Sequence, residues 1–444
     1  MNSYIMRLFL SLFFGVYALG PSAILNGQSF PSSLSKTLQK QIDSLRTNNN
    51  YRGISACVYS PEHGTWQGVS GFSHAGTPIS NGMAFGIASN SKLFTAVMVL
   101  KLVENQKLKL DDSLHQYLPT FKNIDSNITI RQLLNHTTGL DDVTHVPGYP
   151  DSMLQDPNRV FTAKEMMGWT GKPLFAPGQG WNYCNTNYLL AGLIIEKVSG
   201  VSFSKILRDS ILTPLQLDST FLAVYETKNL PIAHPWQAGT DNNSTPRTSI
   251  NSAAWTAGAM YSNASEMVQW YQALMAGKIL NPVSMKELTT FVGSGNYGMG
   301  IAQADINGRT VWYHGGQIWG GYNSSIMYDT STGVIACVLI NQLPAQAFLI
   351  ASSLIGSVAS NSLNVKPMES PTSIAITPNP CTDILQITAT GSPIRRIYVT
   401  DMQGKKLMES YESTISVSSL SEGMYQVHIQ TAAGTSTLLL AKKN

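Results

Sequence analysis

Phe85-Gly86-Ile87-Ala88-Ser89-Asn90-Ser91-Lys92-Leu93-Phe94-Thr95-Ala96 is the stretch from which the rest of the chain can be read. Small and apolar residues lead up to Ser89. Leu93, Ala96, Val97, Leu100 and Val103 then recur at three- and four-residue spacing, one buried face of a helix ending near Gln106. The spacing puts Ser89 in that helix's first turn, where free N–H groups and the positive end of the dipole favour a developing anion. Lys92, one turn on, shares its face. A serine hydroxyl becomes a useful nucleophile when a neighbouring base takes its proton, and a lysine in an apolar pocket can lose its charge and be that base. Ser89 is the candidate nucleophile and Lys92 its partner. Ser-x-x-Lys also occurs at Ser33/Lys36 and Ser202/Lys205, but without the small residues before and the long apolar helix after.

The 444 residues allow a large core and a second domain, and 43% hydrophobic with 12% charged residues excludes a disordered chain. A net charge of +3 without a basic run argues against nucleic acid as a partner. At the N-terminus Arg7 precedes the apolar run Leu8–Leu19, the pattern of a secretory signal peptide over residues 1–27. No cysteine stands nearby to carry a lipid, and no later apolar run is long enough to span a membrane. An exported protein is expected, in the periplasm in transit and then at the cell surface or outside. Cys57 and Cys337 lie in strand-like runs and could bridge; the other reading is that they, Cys184 and Cys381 are buried thiols. No His, Cys, Asp or Glu spacing suits a metal, so neither metal nor cofactor is expected.

Along the chain, an amphipathic helix over 34–46 precedes a hairpin, Gly53–Tyr59 and Thr65–Gly71, turning at Glu62-His63-Gly64. A helix over 130–135 is capped by Thr129, and residues 141–180, polar and rich in Pro and Gly, read as a surface excursion. Helices follow over 188–198, 203–212 and 264–275, the last capped by Asn263. Strands over 310–313, 324–328 and 333–340 and a helix over 348–359 complete a domain spanning 34–359. Helices between two groups of strands predict that first and last strands share one antiparallel sheet, an α+β architecture with a separate all-helical region. Residues 360–373 read as a linker. Beyond it, short strands over 383–390, 396–400, 415–417, 424–429 and 436–440 predict a small β-sandwich; Tyr425, Val427 and Ile429 alternate with Gln426, His428 and Gln430.

Two further motifs follow the serine. Tyr183-Cys184-Asn185 stands just before an apolar helix, and His314-Gly315-Gly316-Gln317 follows a strand, its glycines allowing close approach of a substrate. With Ser-x-x-Lys, Tyr-x-Asn and His-x-Gly in this order, the chain resembles the serine β-lactamase/penicillin-binding-protein superfamily, and more closely the branch holding class C β-lactamases, D-alanyl-D-alanine carboxypeptidases, D-aminopeptidases and esterases. Ile130-Arg131-Gln132-Leu133-Leu134-Asn135-His136-Thr137-Thr138-Gly139-Leu140 and the Pro177-Gly178 before Tyr183 agree with it, over roughly residues 36–355. The resemblance implies the β-lactamase/transpeptidase-like fold and an acyl-enzyme on Ser89. Lys92 and Tyr183 would share the proton work, either one being the acylation base. Asn185 would hold Lys92 or a substrate amide, and the N–H groups of Ser89 and Gln317, beside Gly316, would form the oxyanion hole. His314 stands where β-lactamases carry lysine, and a neutral imidazole grips a carboxylate less firmly, which speaks against a dedicated β-lactamase.

The substrate would be a D-Ala-D-Ala-type peptide or a small ester; the alternatives are a β-lactamase, or a silent relative that binds cell-wall peptides. Trp181, Trp312, Trp319 and Tyr322 either line an acyl pocket or pack in the core. Tyr261-Ser262-Asn263 and His74-Ala75-Gly76 repeat the later motifs out of order, and His136 reads as a loop support. The last domain resembles a C-terminal sorting domain of the type IX secretion system, on Pro378-Asn379-Pro380, Asp401-Met402-Gln403-Gly404, Leu420-Ser421-Glu422-Gly423-Met424-Tyr425 and Lys442-Lys443. That resemblance implies the secretion machinery as a partner.

Overall fold

The computed structural model describes residues 30–362, 374–389, 393–402, 404–431 and 434–443; the expected signal peptide and most of the expected linker lie outside them. In chain order the principal elements of the first domain are α1 (Ser32–Asn48), β1 (Gly53–Ser60), β2 (Gly64–His74), β3 (Thr77–Pro78), α2 (Ser91–Glu104), α3 (Ile130–Asn135), α4 (Asn185–Ser199), α5 (Thr248–Gly258), α6 (Ala264–Met275), β4 (Ala302–Ile306), β5 (Arg309–Ile318), β6 (Tyr322–Asp329), β7 (Ile335–Ile340) and α7 (Ala347–Ser362).

The strands make one sheet in the order β3-β2-β1-β7-β6-β5-β4. β1 runs antiparallel to β7, Ile54 opposite Ile340 and Cys57 opposite Cys337, so the first and last strands do meet at its centre. Successive side chains alternate between faces. Ile54, Ala56 and Val58 pack with Leu38 and Ile42 of α1 and Leu354 and Ile355 of α7. Cys57, Cys337 and Leu339 join Trp270 and Tyr271 of α6 on the other face. Both faces are covered, which is why β7 is apolar at every position. All four cysteines are free thiols, Cys57 and Cys337 included, although those two face each other in the ladder.

Several expectations are corrected. The α2 helix does not bury one face only: Ser91 to Leu100 are all buried, because it runs between the sheet and the helical region. Residues 141–180 are not a loose excursion; short helices Tyr149–Gln155 and Ala163–Met167 form, and Asp142, Met153, Phe161 and Met166 are buried anchors. His314 to Gln317 lie inside β5 rather than after it, since Gly315 and Gly316 pair with Ser325 and Ser324 in an unbroken ladder. The helix at 203–212 is α-helical only to Leu207 and widens to a π-turn over Arg208–Leu212. The α3 cap is as expected: Thr129 and Gln132 bond each other's backbone N–H in a capping box.

The second domain comprises β8 (Ile374–Thr377), β9 (Ile384–Ala389), β10 (Ile394–Thr400), β11 (Lys406–Ser410), β12 (Thr414–Ser416), β13 (Gly423–Thr431) and β14 (Gly434–Lys442), in two sheets ordered β8-β9-β12 and β11-β10-β13-β14. Leu385, Ile387, Ile397, Val399, Val427 and Ile429 fill its core. Gln426 breaks the expected alternation by being buried, its side chain facing Tyr313 of β5 across the domain boundary.

Candidate active site

Ser89 occupies a 3-10 turn, Ala88–Asn90, that feeds directly into α2. Ala88 has φ +50°, a left-handed conformation that a residue with a Cβ adopts at a cost of about 1–3 kcal/mol. The surroundings impose it. Ser91 Oγ donates to Ala88 O (2.7 Å), Ser324 Oγ donates to Ile87 O (2.7 Å), and Ile87 N donates to Met260 O (2.9 Å). Gly316 lets β5 reach this turn, since a Cβ there would lie 2.3 Å from Ile87 O. The motif glycine is thus demanded by the approach of strand to nucleophile turn.

Lys92 is fully buried, and its Nζ meets three oxygens: Asn185 Oδ1 at 2.7 Å, Ala257 O at 2.7 Å and Ser89 Oγ at 3.1 Å. Burial holds its pKa down at about 7, against the opposing influence of Asp142 and then Cys184. The Ala257 carbonyl is available because α5 breaks at Trp255, with φ 32° and ψ −120°. Past that break, Thr256 O accepts from Thr95 Oγ1 at 2.7 Å and Ala257 O faces Lys92. Asn185 is fixed in turn: its N and Nδ2 donate to Asp142 Oδ2 at 2.9 and 2.8 Å.

The ring of Tyr183 is half-buried, with Lys92 Nζ 4.9 Å from its centre. Its hydroxyl oxygen is buried beside Ser89 without a partner aligned to complete a hydrogen bond. Burial pushes this phenol well above its usual range, so it is protonated at neutral pH. His136, at the end of α3 with φ 63°, packs its ring 4.5 Å from that of Tyr183. Its Nδ1 accepts from Cys184 N at 3.2 Å and Asn187 Nδ2 at 3.1 Å, which assigns the ring proton to Nε2. It supports its loop, as expected.

His314 is buried, and both ring nitrogens are spent inside the protein. Nδ1 donates to Gly315 O at 2.6 Å, and Nε2 accepts from the Tyr297 hydroxyl at 2.8 Å. Burial, then the charge of Lys92, lowers its pKa to about 3. The imidazole therefore offers a substrate neither charge nor a free N–H. Gln317, next along β5 and opposite Asn323, is exposed.

The structure brings Ser89, Lys92, Tyr183 and Asn185 together and sets Gly316 against the serine turn. Sequence reading missed Asp142, Tyr188, Ala257 and Tyr297. Asp142 alone carried a signal, as an acidic pair just beyond the His136–Leu140 stretch. The decoys have structural work: Ser202 caps a helix by accepting from Lys205 N, Ser33 and Lys36 are exposed on α1, and the Tyr261 hydroxyl accepts from Arg247 Nε at 3.0 Å. Tyr322 and Trp312 are packing residues, the former fully buried and the latter between Phe291 and Tyr328. Trp181 and Trp319 stay half-exposed. Among the described residues no group of three His, Cys, Asp or Glu side chains could hold a metal ion, and no helix is long and apolar enough to cross a membrane.

With this geometry in place, comparison with known proteins is direct. The beta-lactamase family profile matches residues 38–359. The chain belongs to that family. A secretion system C-terminal sorting domain matches residues 375–442, the type IX kind. Penicillin-binding protein 4 of Amycolatopsis lactamdurans is 27% identical over 72% of this chain and 89% of its own length. The putative penicillin-binding protein PbpX of Bacillus subtilis (strain 168) is 30% identical over 49% of this chain, which spans about half (53%) of that protein. Among solved structures, a D-stereospecific amidohydrolase from Streptomyces sp. is similar with a TM-score of 0.62 and 28% identity, over 69% of this chain and 94% of that one. The chain is thus a beta-lactamase-family, penicillin-binding-protein-like hydrolase fold carrying a secretion sorting domain.

Proposed function

We propose that the protein is an exported serine hydrolase that cleaves an amide or ester through an acyl-enzyme on Ser89. The observation that carries this reading is the environment of Lys92. A neutral amine has two N–H donors and one lone pair. Asn185 Oδ1 and Ala257 O take the two donors, which leaves the lone pair for the Ser89 hydroxyl at 3.1 Å. A pKa near 7 makes that neutral form accessible at neutral pH.

In this reading Lys92 takes the Ser89 proton as Oγ attacks the substrate carbonyl, and the N–H groups of Ser89 and Gln317 hold the oxyanion. Tyr183, a neutral phenol, passes its proton to the leaving nitrogen or oxygen and takes the one held by Lys92. Water then attacks the acyl carbonyl, giving its proton back along the same path, and Ser89 is released with the acid product. His314 supports an uncharged leaving side: with no charge and no free N–H it cannot anchor a substrate carboxylate, so simple amides and esters fit better than peptides ending beside the scissile bond. That choice is consistent with the similarity to a D-stereospecific amidohydrolase. The sorting domain supports delivery through the secretion machinery to the cell surface or beyond.

The test is a substrate panel on purified protein: D- and L-aminoacyl amides, a nitrophenyl ester, a D-Ala-D-Ala peptide and a chromogenic cephalosporin. Turnover of amide or ester, with a fluorophosphonate adduct mapped to Ser89 and absent in Ser89→Ala, is the expected result. A folded protein with no adduct and no turnover on any member of the panel would sink it; preference for the D-Ala-D-Ala peptide or cephalosporin would overturn the leaving-group argument alone.

A further inference from the structure

Asp142 is nearly fully buried and spends both oxygens on the protein. Oδ1 accepts from Thr144 N and Thr144 Oγ1, each at 2.9 Å. Oδ2 accepts from Asn185 N at 2.9 Å and Asn185 Nδ2 at 2.8 Å. Four donors converge on one carboxyl group and no cation among the described residues bonds to it, an arrangement that suits a carboxylate and costs heavily if any donor is lost. The consequence lies one residue away. An amide whose Nδ2 is bound to a group that can only accept has its Oδ1 turned the opposite way, and that Oδ1 is the atom 2.7 Å from Lys92 Nζ.

We propose that Asp142 is a positioning residue for the acylation step: it fixes the Asn185 amide so that Oδ1 faces Lys92, and it sets a carboxylate two hydrogen bonds away from the amine that takes the Ser89 proton. The groups that face Lys92 single it out. On the α4 side are Tyr183 and Tyr188, whose rings lie 4.9 and 5.6 Å from Nζ, and Cys184. Burial raises the pKa of all three, so they are neutral at pH 7. His136 beyond α3 and His314 of β5 are held neutral by burial and by Lys92 itself. From α5 comes only the Ala257 carbonyl. Against that neutral ring, Asp142 supplies the charge that opposes the desolvation of Lys92.

This inference rests on Lys92 being the base, so the two are tested in order. The rate of Ser89 labelling by a fluorophosphonate is measured against pH in the unaltered protein and in Lys92→Met. A limb near pH 7 that Lys92→Met removes secures the base; its absence overturns the mechanism above, and this inference with it. Asp142→Asn then removes the charge and, having its own Nδ2, cannot accept from all four donors. The expected result is a labelling rate lower by up to about 100-fold at the plateau, the cost of a misplaced group, with the limb moved to lower pH. A fall without a moved limb shows a merely structural group and overturns the proposal, as does an unchanged profile. If Asp142→Asn does not fold, the exchange Asp142→Asn with Asn185→Asp keeps one buried carboxylate in the pair and sets it directly against Lys92. Its limb should move above the wild-type position; a limb that stays in place overturns the proposal.

Discussion

The hydroxyl of Tyr297 donates to His314 Nε2 across 2.8 Å, and this bond decides what the third motif can do. The other nitrogen is already committed to Gly315 O, so the imidazole is saturated, and it is also neutral. It works as a brace for β5, the strand whose Gly316 lies against the Ser89 turn.

The first prediction tests that brace. Tyr297→Phe leaves a buried acceptor unsatisfied, which costs about 1–3 kcal/mol of stability and should lower the urea midpoint accordingly. If His314 has no direct part in binding, KM for an uncharged amide or ester stays within about threefold, because no uniform binding is lost. A large rise in KM at unchanged stability would show that His314 or Tyr297 touches the substrate.

The second concerns pH. In the proposed mechanism Lys92 must be neutral to act, so kcat/KM should rise as pH passes through about 7 and level off above it. His314 should add no limb between pH 5 and 9, since it titrates near pH 3, and His136 lies well below its ordinary value. The same shift carries a stability sign. A lysine whose pKa falls from about 10.4 unfolded to about 7 folded disfavours the native state most below pH 7, and the penalty fades as pH rises toward 10.4. Lys92→Met, which removes the titrating group, should therefore stabilise the protein more at pH 6 than at pH 10. Urea unfolding at the two pH values checks this, and a stability gain that does not depend on pH would show that Lys92 is not depressed.

The sheet was legible because local signals agreed with it, a hairpin turn at Glu62-His63-Gly64 and an apolar run at β7, and two helix starts were legible from their caps at Thr129 and Asn263. The nucleophile turn was legible because small residues are needed where β5 and the Ile87–Ala88 backbone nearly touch. Tyr297 was not, and Asp142 showed only as one of an acidic pair, since each acts by long-range contact with residues 17 and 43 positions away, and neither sits in a spaced motif. Ala257 could not be read at all: it contributes a carbonyl, which every residue has, and the break at Trp255 that aims it lies in a stretch of small polar and apolar residues that reads as ordinary helix. Residues 141–180 misled because Pro and Gly punctuate them, while Met153, Phe161 and Met166 anchor them to the core.

The third prediction separates the two Tyr-x-Asn matches. The Tyr183 hydroxyl is buried beside Ser89 with no aligned partner, whereas the Tyr261 ring stacks 5.5 Å from Phe221 and its hydroxyl accepts from Arg247. Proton-transfer groups typically contribute about 100- to 10,000-fold, so Tyr183→Phe should lower kcat by that order. Tyr261→Phe should leave kcat nearly unchanged and cost about 0.5–1.5 kcal/mol through the lost hydrogen bond. If Tyr261→Phe is the more damaging to turnover of two folded variants, the assignment of the proton shuttle is wrong.

The last prediction concerns the sorting domain. Among the described residues its β14 lies against β4, and Met402 and Leu439 pack on the α1/α7-face core of the first domain. Gln426 faces Tyr313, whose ring packs on Phe348 of α7 5.1 Å away, among the residues on the α1/α7 face of the sheet. The hairpin at Gly404 lies against Ser294 and Gly295, and a Cβ on Gly295 would sit 2.1 Å from the ring of Trp181, two residues from Tyr183. The contacts on the α1/α7 face and at β4 are remote from Ser89, and the one at Gly404 reaches the site through the loop over Trp181. A chain ending at Ser360 should therefore fold and keep kcat for ester hydrolysis within a few-fold, while any change falls on KM, through a freer 293–296 loop. Circular dichroism and steady-state kinetics on the shortened and full chains check this. A folded, shortened protein whose kcat collapses while KM holds would show that the sorting domain takes part in building the catalytic geometry.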